Sequence, residues 1–375
     1  MTNIVYCRIL ASKHYVHITL MTILRKHKRG LILFLALAIY LITALWLQSS
    51  YGMPYYVPYI YLPLQNIRSH VLQYLPFSLG DLIYIGLLIW LLISLFRFVR
   101  NIILSHRLGK HIVGNQLLRF AATLVFLYAS FIILWGANYK REPLIPESQS
   151  TLDTATLIAL NDTLVAEINR LPNTDNPLNL AQINQRINID YQNMFGPKVP
   201  LLNVKPTLFG SSLHYFGIQG YYNPLTGEGQ FATSLPPFMW GFVVAHEMAH
   251  QAGIASEGDA NFIAYMICVQ DSMPGMQYSG YLNLFLYANR ELFEIDSTMG
   301  KAKYEALNAT VREDIEALKK LRKQYKSSFR GLSIDVYHWY LQNRGLKQGI
   351  GSYRLISKKV YEWELDGKPK ISLYP

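Results

Sequence analysis

The sequence predicts a mainly α protein, in which three N-terminal transmembrane helices precede a mostly helical domain with a small β-element. Hydrophobic residues make up 51% of the 375 residues and charged residues only 16%, whereas soluble domains carry about 25% charged residues. Three charge-poor apolar runs lie in the first third of the chain, and helical apolar spacing dominates the remainder. The length favours two or more structural units over one small core.

The net charge of +11 is confined to the first third of the chain. Residues 1–139 contain 12 Lys or Arg and a single acid, Asp81, while residues 140–375 contain 23 basic and 23 acidic residues. A nucleic-acid-binding protein needs basic residues on its folded domain, where they neutralise phosphates. Here they flank apolar runs, which is typical of membrane topology signals. We therefore expect a lipid bilayer as partner and no nucleic acid.

The predicted spans lie near residues 31–48, 82–99 and 120–139, so that residues 1–139 form a membrane region. Each run is long enough, as a helix, to cross a hydrocarbon layer of roughly 30 Å. The first run indicates a signal anchor, because it is long and further spans follow it. Met21 stands just before the basic cluster that precedes this run, and it is an alternative start of translation.

Lys and Arg in the short loops set the predicted orientation. They cluster before the first span and between the second and third, whereas the loop between the first two spans, residues 49–76, holds only Arg68. The positive-inside rule then places the N-terminus and the second loop in the cytoplasm. We expect a multi-pass protein of the cytoplasmic (inner) membrane with residues 140–375 as an extracytoplasmic domain. The Tyr- and Pro-rich loop 49–76 suits the membrane interface.

The elements of the outer domain follow from local patterns. Apolar spacing predicts helices over residues 151–171 and 181–195. The Gly-, Tyr- and Thr-containing segment 207–234 predicts short strands around a turn. Residues 231–234 could form an edge strand that pairs with an extended substrate, or belong to an ordinary hairpin. Helices are expected again from residue 236 to about residue 331.

Residues 246–250 read His-Glu-Met-Ala-His. On a helix, positions i and i+4 share one face, so His246 and His250 can bind one ion. Glu247 can reach a water on that ion and act as general base. The chain has two cysteines, which exclude a Cys-rich zinc module and leave His and carboxylates as ligands. The alternative is a helix whose histidines make ordinary hydrogen bonds.

The following turn offers a third ligand. Ser256 is a good N-cap for a second helix, with Asp259 three residues on, as in a capping box. Glu257 lies in the first turn, facing back toward the first helix, and can supply the third protein ligand. Asp259 is either a capping acid or a ligand. Asn261, four residues after Glu257, can hydrogen-bond a ligand from outside the coordination sphere.

Two histidines, one glutamate and an open fourth position are typical of a catalytic zinc site. A zinc-activated water would attack a peptide carbonyl, with Glu247 as general base. The predicted function is a membrane-anchored, Zn²⁺-dependent metallopeptidase that hydrolyses a peptide or a cell-envelope protein. The alternative is a membrane sensor or scaffold with a structural or inactive metal site, which has no use for a general base beside the metal.

The His-Glu-Met-Ala-His motif followed by Glu257, Ala260 and Asn261 resembles the HExxH and ExxAN motifs of gluzincin metallopeptidases. This resemblance implies a zincin-like domain in which the two motif histidines and Glu257 bind zinc. Most of the chain resembles a bacterial membrane family filed as domain of unknown function 3810. That resemblance depends on the three apolar runs, residues 77–81, residues 224–228 and the metal motif. It implies an architecture and no particular substrate.

Other polar residues are candidates for a functional role, but no sequence pattern distinguishes among them. Four of them could stabilise an oxyanion, although a lone His or Tyr is usually structural: His214, His338, Tyr353 and Arg354. The basic run within residues 319–326 predicts a solvated helix face by default. The alternative is that these basic residues contact lipid headgroups.

Overall fold

The computed structural model describes residue 30 and residues 32–104, 110–144, 152–171, 179–343, 355–367 and 369–374. These residues form a mainly helical protein with a three-stranded sheet, which confirms the predicted mainly α class. Met21 lies outside the described residues, so the alternative start of translation stays a prediction.

The first apolar run forms helix α1 (Ile32–Leu47), which is shorter than a typical span. The expected loop after it is helical instead: α2 (Met53–Tyr56), a π-helical stretch (Val57–Tyr61) and α3 (Leu62–Leu72) follow one another. A proline occupies the first or second position of each. Pro58 and Pro63 follow directly on helical residues, so each removes one backbone donor from a continuous helical run at the point where the helix type changes. The Tyr- and Pro-rich composition therefore reflects tightly joined helices.

Two of the described helices are long and apolar enough to cross a membrane: α4 (Leu79–Ile103) and α5 (Lys110–Leu134). The predicted second span, residues 82–99, lies within α4. Residues 120–134 of the predicted third span, 120–139, lie within α5, which begins earlier, and a 3₁₀ helix (Gly136–Lys140) follows α5. Helix α5 extends through polar residues because Gln116 donates to the Ser94 carbonyl at 3.0 Å and accepts from Asn101 at 2.7 Å. That these helices cross a membrane stays a prediction.

The first turn of α4 is fastened to the outer domain. The Asp81 carboxylate accepts hydrogen bonds from the Leu208 amide at 2.7 Å and the Thr207 hydroxyl at 3.1 Å, and also from the Tyr221 hydroxyl. Ser78 caps the helix through the Asp81 amide. The first turn of α4 therefore contacts the domain directly.

The outer domain begins with α6 (Thr154–Arg170) and α7 (Leu180–Phe195), close to the predicted helices. Three strands follow: β1 (Val204–Pro206), β2 (Gly220–Asn223) and β3 (Glu228–Phe231). Their order is β1-β3-β2, with β1 parallel and β2 antiparallel to β3. Of the two alternatives for residues 231–234, the structure favours the hairpin, since Phe231 ends the central strand β3 and residues 232–234 belong to no strand.

Seven helices complete the described part of the domain: α8 (Trp240–Gln251), α9 (Glu257–Gln270), α10 (Pro274–Ile295), α11 (Ser297–Glu305), α12 (Ala309–Gln324), α13 (Ser328–Asn343) and α14 (Leu355–Leu365). Helix α8 is central, packing against the sheet, α7, α9 and α10. Its residues Phe242, Val244 and Met248 are buried. This position explains why α8 is apolar around most of its circumference.

Candidate metal centre

Helix α8 carries the His-Glu-Met-Ala-His motif. A 3₁₀ turn (Pro237–Met239) leads into it, and Gly253 follows its end with a left-handed φ of +86°, a conformation that favours glycine. The Gly253 amide returns to the His250 carbonyl at 2.9 Å. This sharp exit turns the chain back, so that α9 starts with Ser256 as N-cap, as predicted.

The structure brings His246, His250 and Glu257 together, with one candidate ligand atom from each lying within 4.8 Å of the others. Glu257 Oε2 lies 3.2 Å from His246 Nε2, and Glu257 Oε1 lies 3.7 Å from His250 Nε2. The two Nε2 atoms are 3.2 Å apart. Zinc bonds of 2.0–2.1 Å in a tetrahedral site separate the ligand atoms by about 3.3–3.4 Å. The donor set therefore fits one small divalent cation.

The backbone orients the ring of His250. Its Nδ1 lies 2.7 Å from the Ile254 carbonyl oxygen, which accepts from Nδ1–H, so Nε2 is the nitrogen that faces the cluster. Among the described residues, Nδ1 of His246 has no hydrogen-bond partner. The two rings meet edge to face with centroids 4.7 Å apart. One histidine is thus held by the backbone and the other by the cluster.

The cluster is electrostatically coupled. Burial by itself would lower the pKa of His250, but the Glu257 carboxylate outweighs it and raises that pKa to about 9. Burial would also raise the pKa of Glu257, yet His250 and His246 hold it well below its usual range. Glu257 is therefore an anion at neutral pH, as a metal ligand must be.

Glu247 lies on the same helix, buried against the sheet. Its Oε2 atom has no hydrogen-bond partner within the described part of the chain. Burial raises the pKa of Glu247 to about 7, against the lowering influence of the two motif histidines. A carboxyl group that exchanges a proton near neutral pH suits a general base. Gly220 allows this close approach, because a Cβ there would lie 2.6 Å from Glu247 Oε1.

The two other acidic or amide candidates have different surroundings. Asp259 binds the Lys359 ammonium at 2.5 Å and accepts from the Leu144 amide at 3.3 Å, so its carboxylate has partners away from the histidines. Its own amide donates to Ser256 Oγ. Asn261 is buried, and its Nδ2 atom makes no hydrogen bond to any described residue.

Sequence reasoning missed the residues that hold the C-terminal end of α8. Tyr61 donates to the Gln251 carbonyl at 2.9 Å, and Trp135 donates to that of His250 at 3.2 Å. Tyr374 donates to the Ala252 carbonyl, and Arg141 to that of Gly253. These carbonyls would otherwise be left without helical donors. No local pattern identifies such donors, because they lie more than 100 positions away along the chain.

The structure does not single out one of the four candidates for stabilising an oxyanion. His214 is buried, bonds Ser234 Oγ at 2.9 Å and packs on the Tyr325 ring, and burial lowers its pKa. His338 lies on α13. Tyr353 and Arg354 fall outside the described residues.

The fold and site define a mainly helical protein with apolar helices of membrane-spanning length and a buried His-His-Glu cluster that could hold a metal ion. The chain belongs to the family described as Protein of unknown function (DUF3810), whose model matches residues 56–359. That match includes both long apolar helices and the whole cluster. Comparisons with curated proteins and with solved structures give no match.

Proposed function

We propose that the protein is a membrane-anchored zinc metallopeptidase. The observation that supports this most strongly is the convergence of His246, His250 and Glu257, with Glu247 buried next to the first histidine. A purely structural zinc site usually has four protein ligands, whereas a catalytic one keeps a position open. Three ligands and a carboxyl of near-neutral pKa favour the catalytic interpretation.

In this proposal His246, His250 and Glu257 hold the zinc ion. Bound zinc polarises a peptide carbonyl and makes water more acidic. Glu247 takes the proton from the attacking water and delivers it to the leaving amine. The Ile254 carbonyl keeps His250 in the tautomer that presents Nε2 to the ion. The peptide or envelope-protein substrate and the gluzincin relationship belong to the same proposal.

We further propose that α1, α4 and α5 all span the cytoplasmic membrane and that the outer domain is extracytoplasmic. Three helix ends support a shared side: Leu47 at the end of α1, Asp81 at the start of α4 and Trp135 just after α5 are all buried. Asp81 and Trp135 hydrogen-bond outer-domain residues. The domain therefore lies at the C-terminal ends of α1 and α5 and at the N-terminal end of α4, so neighbouring helices in the chain run antiparallel. The Lys and Arg bias assigns the far side to the cytoplasm.

The first experiment is the zinc content of the full chain purified in detergent. Wild type should bind about one zinc ion per chain, and Glu257→Ala should lose it. Asp259→Asn should keep it in the folded protein, whose amount is measured separately because the change also breaks a buried ion pair with Lys359. Zinc loss in Asp259→Asn alone would move the third ligand to that residue. A wild type without zinc after incubation with the metal would refute the proposed site.

The Glu247→Gln variant separates an enzyme from a sensor or scaffold. It keeps size and shape, so zinc content should remain, while peptide hydrolysis and any dependent cellular phenotype should be lost. Full biological function in a zinc-loaded, stable Glu247→Gln protein would contradict the peptidase.

A further inference from the structure

Helix α13 exposes an apolar stripe made of Phe329, Leu332, Val336 and Trp339. Their side chains are 61%, 62%, 56% and 64% exposed. The spacing of 0, 3, 7 and 10 residues places all four on one helical face. A soluble helix normally turns such a face toward its core. This stripe faces outward along the full length of the helix.

The side of α13 that adjoins the stripe is attached to the domain. Ser333 donates to the Phe216 carbonyl at 2.8 Å. Phe329, at the edge of the stripe, has its ring centroid 6.1 Å from that of Phe216. Ser327, just before the helix, donates to the Tyr215 carbonyl. These contacts join α13 to the 3₁₀ helix (Gly210–Phe216). The apolar stripe is therefore presented by a docked helix, with its outward direction set by that docking.

The same 3₁₀ helix connects the stripe to the start of α4. Leu208, two residues before it, donates its amide to Asp81 in the first turn of α4 at 2.7 Å. Leu208, Tyr215 and Phe216 are themselves half exposed. Eight residues, mostly at a 3₁₀ rise of about 2 Å each, keep Phe216 within roughly 20 Å of Leu208. The exposed apolar and aromatic surface thus continues from the end of a long apolar helix.

Basic residues lie next to the stripe. Lys320, Lys323 and Lys326 are exposed at the end of α12, directly before α13. Exposed lysines beside an apolar stripe that contains Trp and Phe are typical of helices that lie in the interface of an anionic membrane. A protein partner would not require the stripe to start beside a membrane span.

We propose that α13 lies on the phospholipid surface beside α4, with the apolar stripe at the level of the acyl-chain boundary and the three lysines among anionic headgroups. This inference rests on the membrane-spanning part of the proposed function and is independent of peptidase activity. The contact would fix the tilt of the outer domain over the bilayer.

The test uses the full chain in lipid nanodiscs, with Cys7 replaced by Ser, Cys268 replaced by Ala, and one added cysteine at a time carrying an environment-sensitive fluorophore. Leu332→Cys and Trp339→Cys report on the stripe, Ile93→Cys on α4, and Lys301→Cys on an exposed site of α11. Lipids with a doxyl quencher should quench positions 332, 339 and 93 several-fold more than position 301. The emission at 332 and 339 should also shift to the blue.

One outcome is that position 93 is quenched, whereas positions 332 and 339 are quenched no more than position 301. This result would overturn the surface contact and leave the span intact. No quenching at 93 would overturn the span and this inference with it. A blue shift at 332 that grows with protein density, without lipid quenching, would assign the stripe to contact between copies. Phosphatidylglycerol should strengthen the stripe quenching relative to phosphatidylcholine alone, and replacing the three lysines by Gln should abolish that difference. Equal quenching in both lipids would refute the electrostatic part.

Discussion

The buried ion pair between Lys205 on β1 and Glu228 on β3 gives a quantitative test of how the membrane helix is joined to the domain. Lys205 Nζ lies 2.8 Å from Glu228 Oε1, and the two side chains are only 6% and 4% exposed. Glu228 also accepts from the amides of Leu79 and Gly80 at the start of α4, at 3.3 and 2.8 Å. Lys205 donates to the Leu72 carbonyl at 2.7 Å as well.

Glu228→Gln should lower the free energy of unfolding by about 3–5 kcal/mol, because it leaves the Lys205 ammonium buried without a counter-charge. Lys205→Met should cost a similar amount, since it leaves the Glu228 carboxylate unpaired. The double variant should cost less than the sum of the two by at least about 2 kcal/mol, because neither buried charge remains. Arg170→Gln is the control, since its pair with Glu167 is largely exposed and is worth less than about 1 kcal/mol.

The assay is denaturant unfolding of the four variants and wild type in one detergent, followed by tryptophan fluorescence. A Glu228→Gln protein within about 1 kcal/mol of wild type would refute the reasoning. Additive single-variant effects would show that the two charges do not stabilise each other.

Three further outcomes follow from the structure. Gly220→Ala should cost about 1–3 kcal/mol and displace Glu247, because the new Cβ would lie 2.6 Å from its Oε1 atom; thermal unfolding measures this. Trp135→Phe should lower the free energy of unfolding by about 1 kcal/mol and weaken zinc binding, because it removes a hydrogen-bond donor from the His250 carbonyl of α8. Zinc titration measures the change in affinity. Burial, with a neighbouring carboxyl, raises the pKa of Asp190 to about 7. The folded chain therefore holds a proton that the unfolded chain releases above about pH 4, and wild-type stability should fall as the pH rises from about 4 to 7. Asp190→Asn should reduce that fall in melting curves recorded with chelator at pH 5 and pH 8, and the part that remains is expected from Glu247 and His250, whose pKa values are also raised.

Each of these three predictions has a control variant or a result that would contradict it. Gly86→Ala, where a Cβ meets nothing within 4 Å, should be neutral, so an equal loss in both glycine variants would count against the steric argument. Trp90→Phe, which changes a tryptophan of α4, should leave zinc affinity unchanged. A pH slope as steep in Asp190→Asn as in wild type would assign the proton to another group.

Local pattern was sufficient to bring the three candidate ligands together. The i, i+4 spacing of His246 and His250 puts both rings on one side of any helix, and the Ser256 N-cap places Glu257 in the first turn of the next. The sequence also predicted the mainly helical class and the second apolar helix. These features depend on neighbours within one or two turns, which the order of residues specifies directly.

Tertiary structure decided which groups meet across the chain. Local spacing left Asp259 as a capping acid or a ligand, and its carboxylate is paired with Lys359, 100 positions away. Gln116 of α5 pairs with Asn101 and Ser94 of α4, a contact that an isolated apolar run does not predict. The sheet order made β3 central and, of the two alternatives for residues 231–234, favours the hairpin. In each case the outcome depended on a polar group or a strand finding a partner distant in sequence, and hydrophobic periodicity carries no information about that partner.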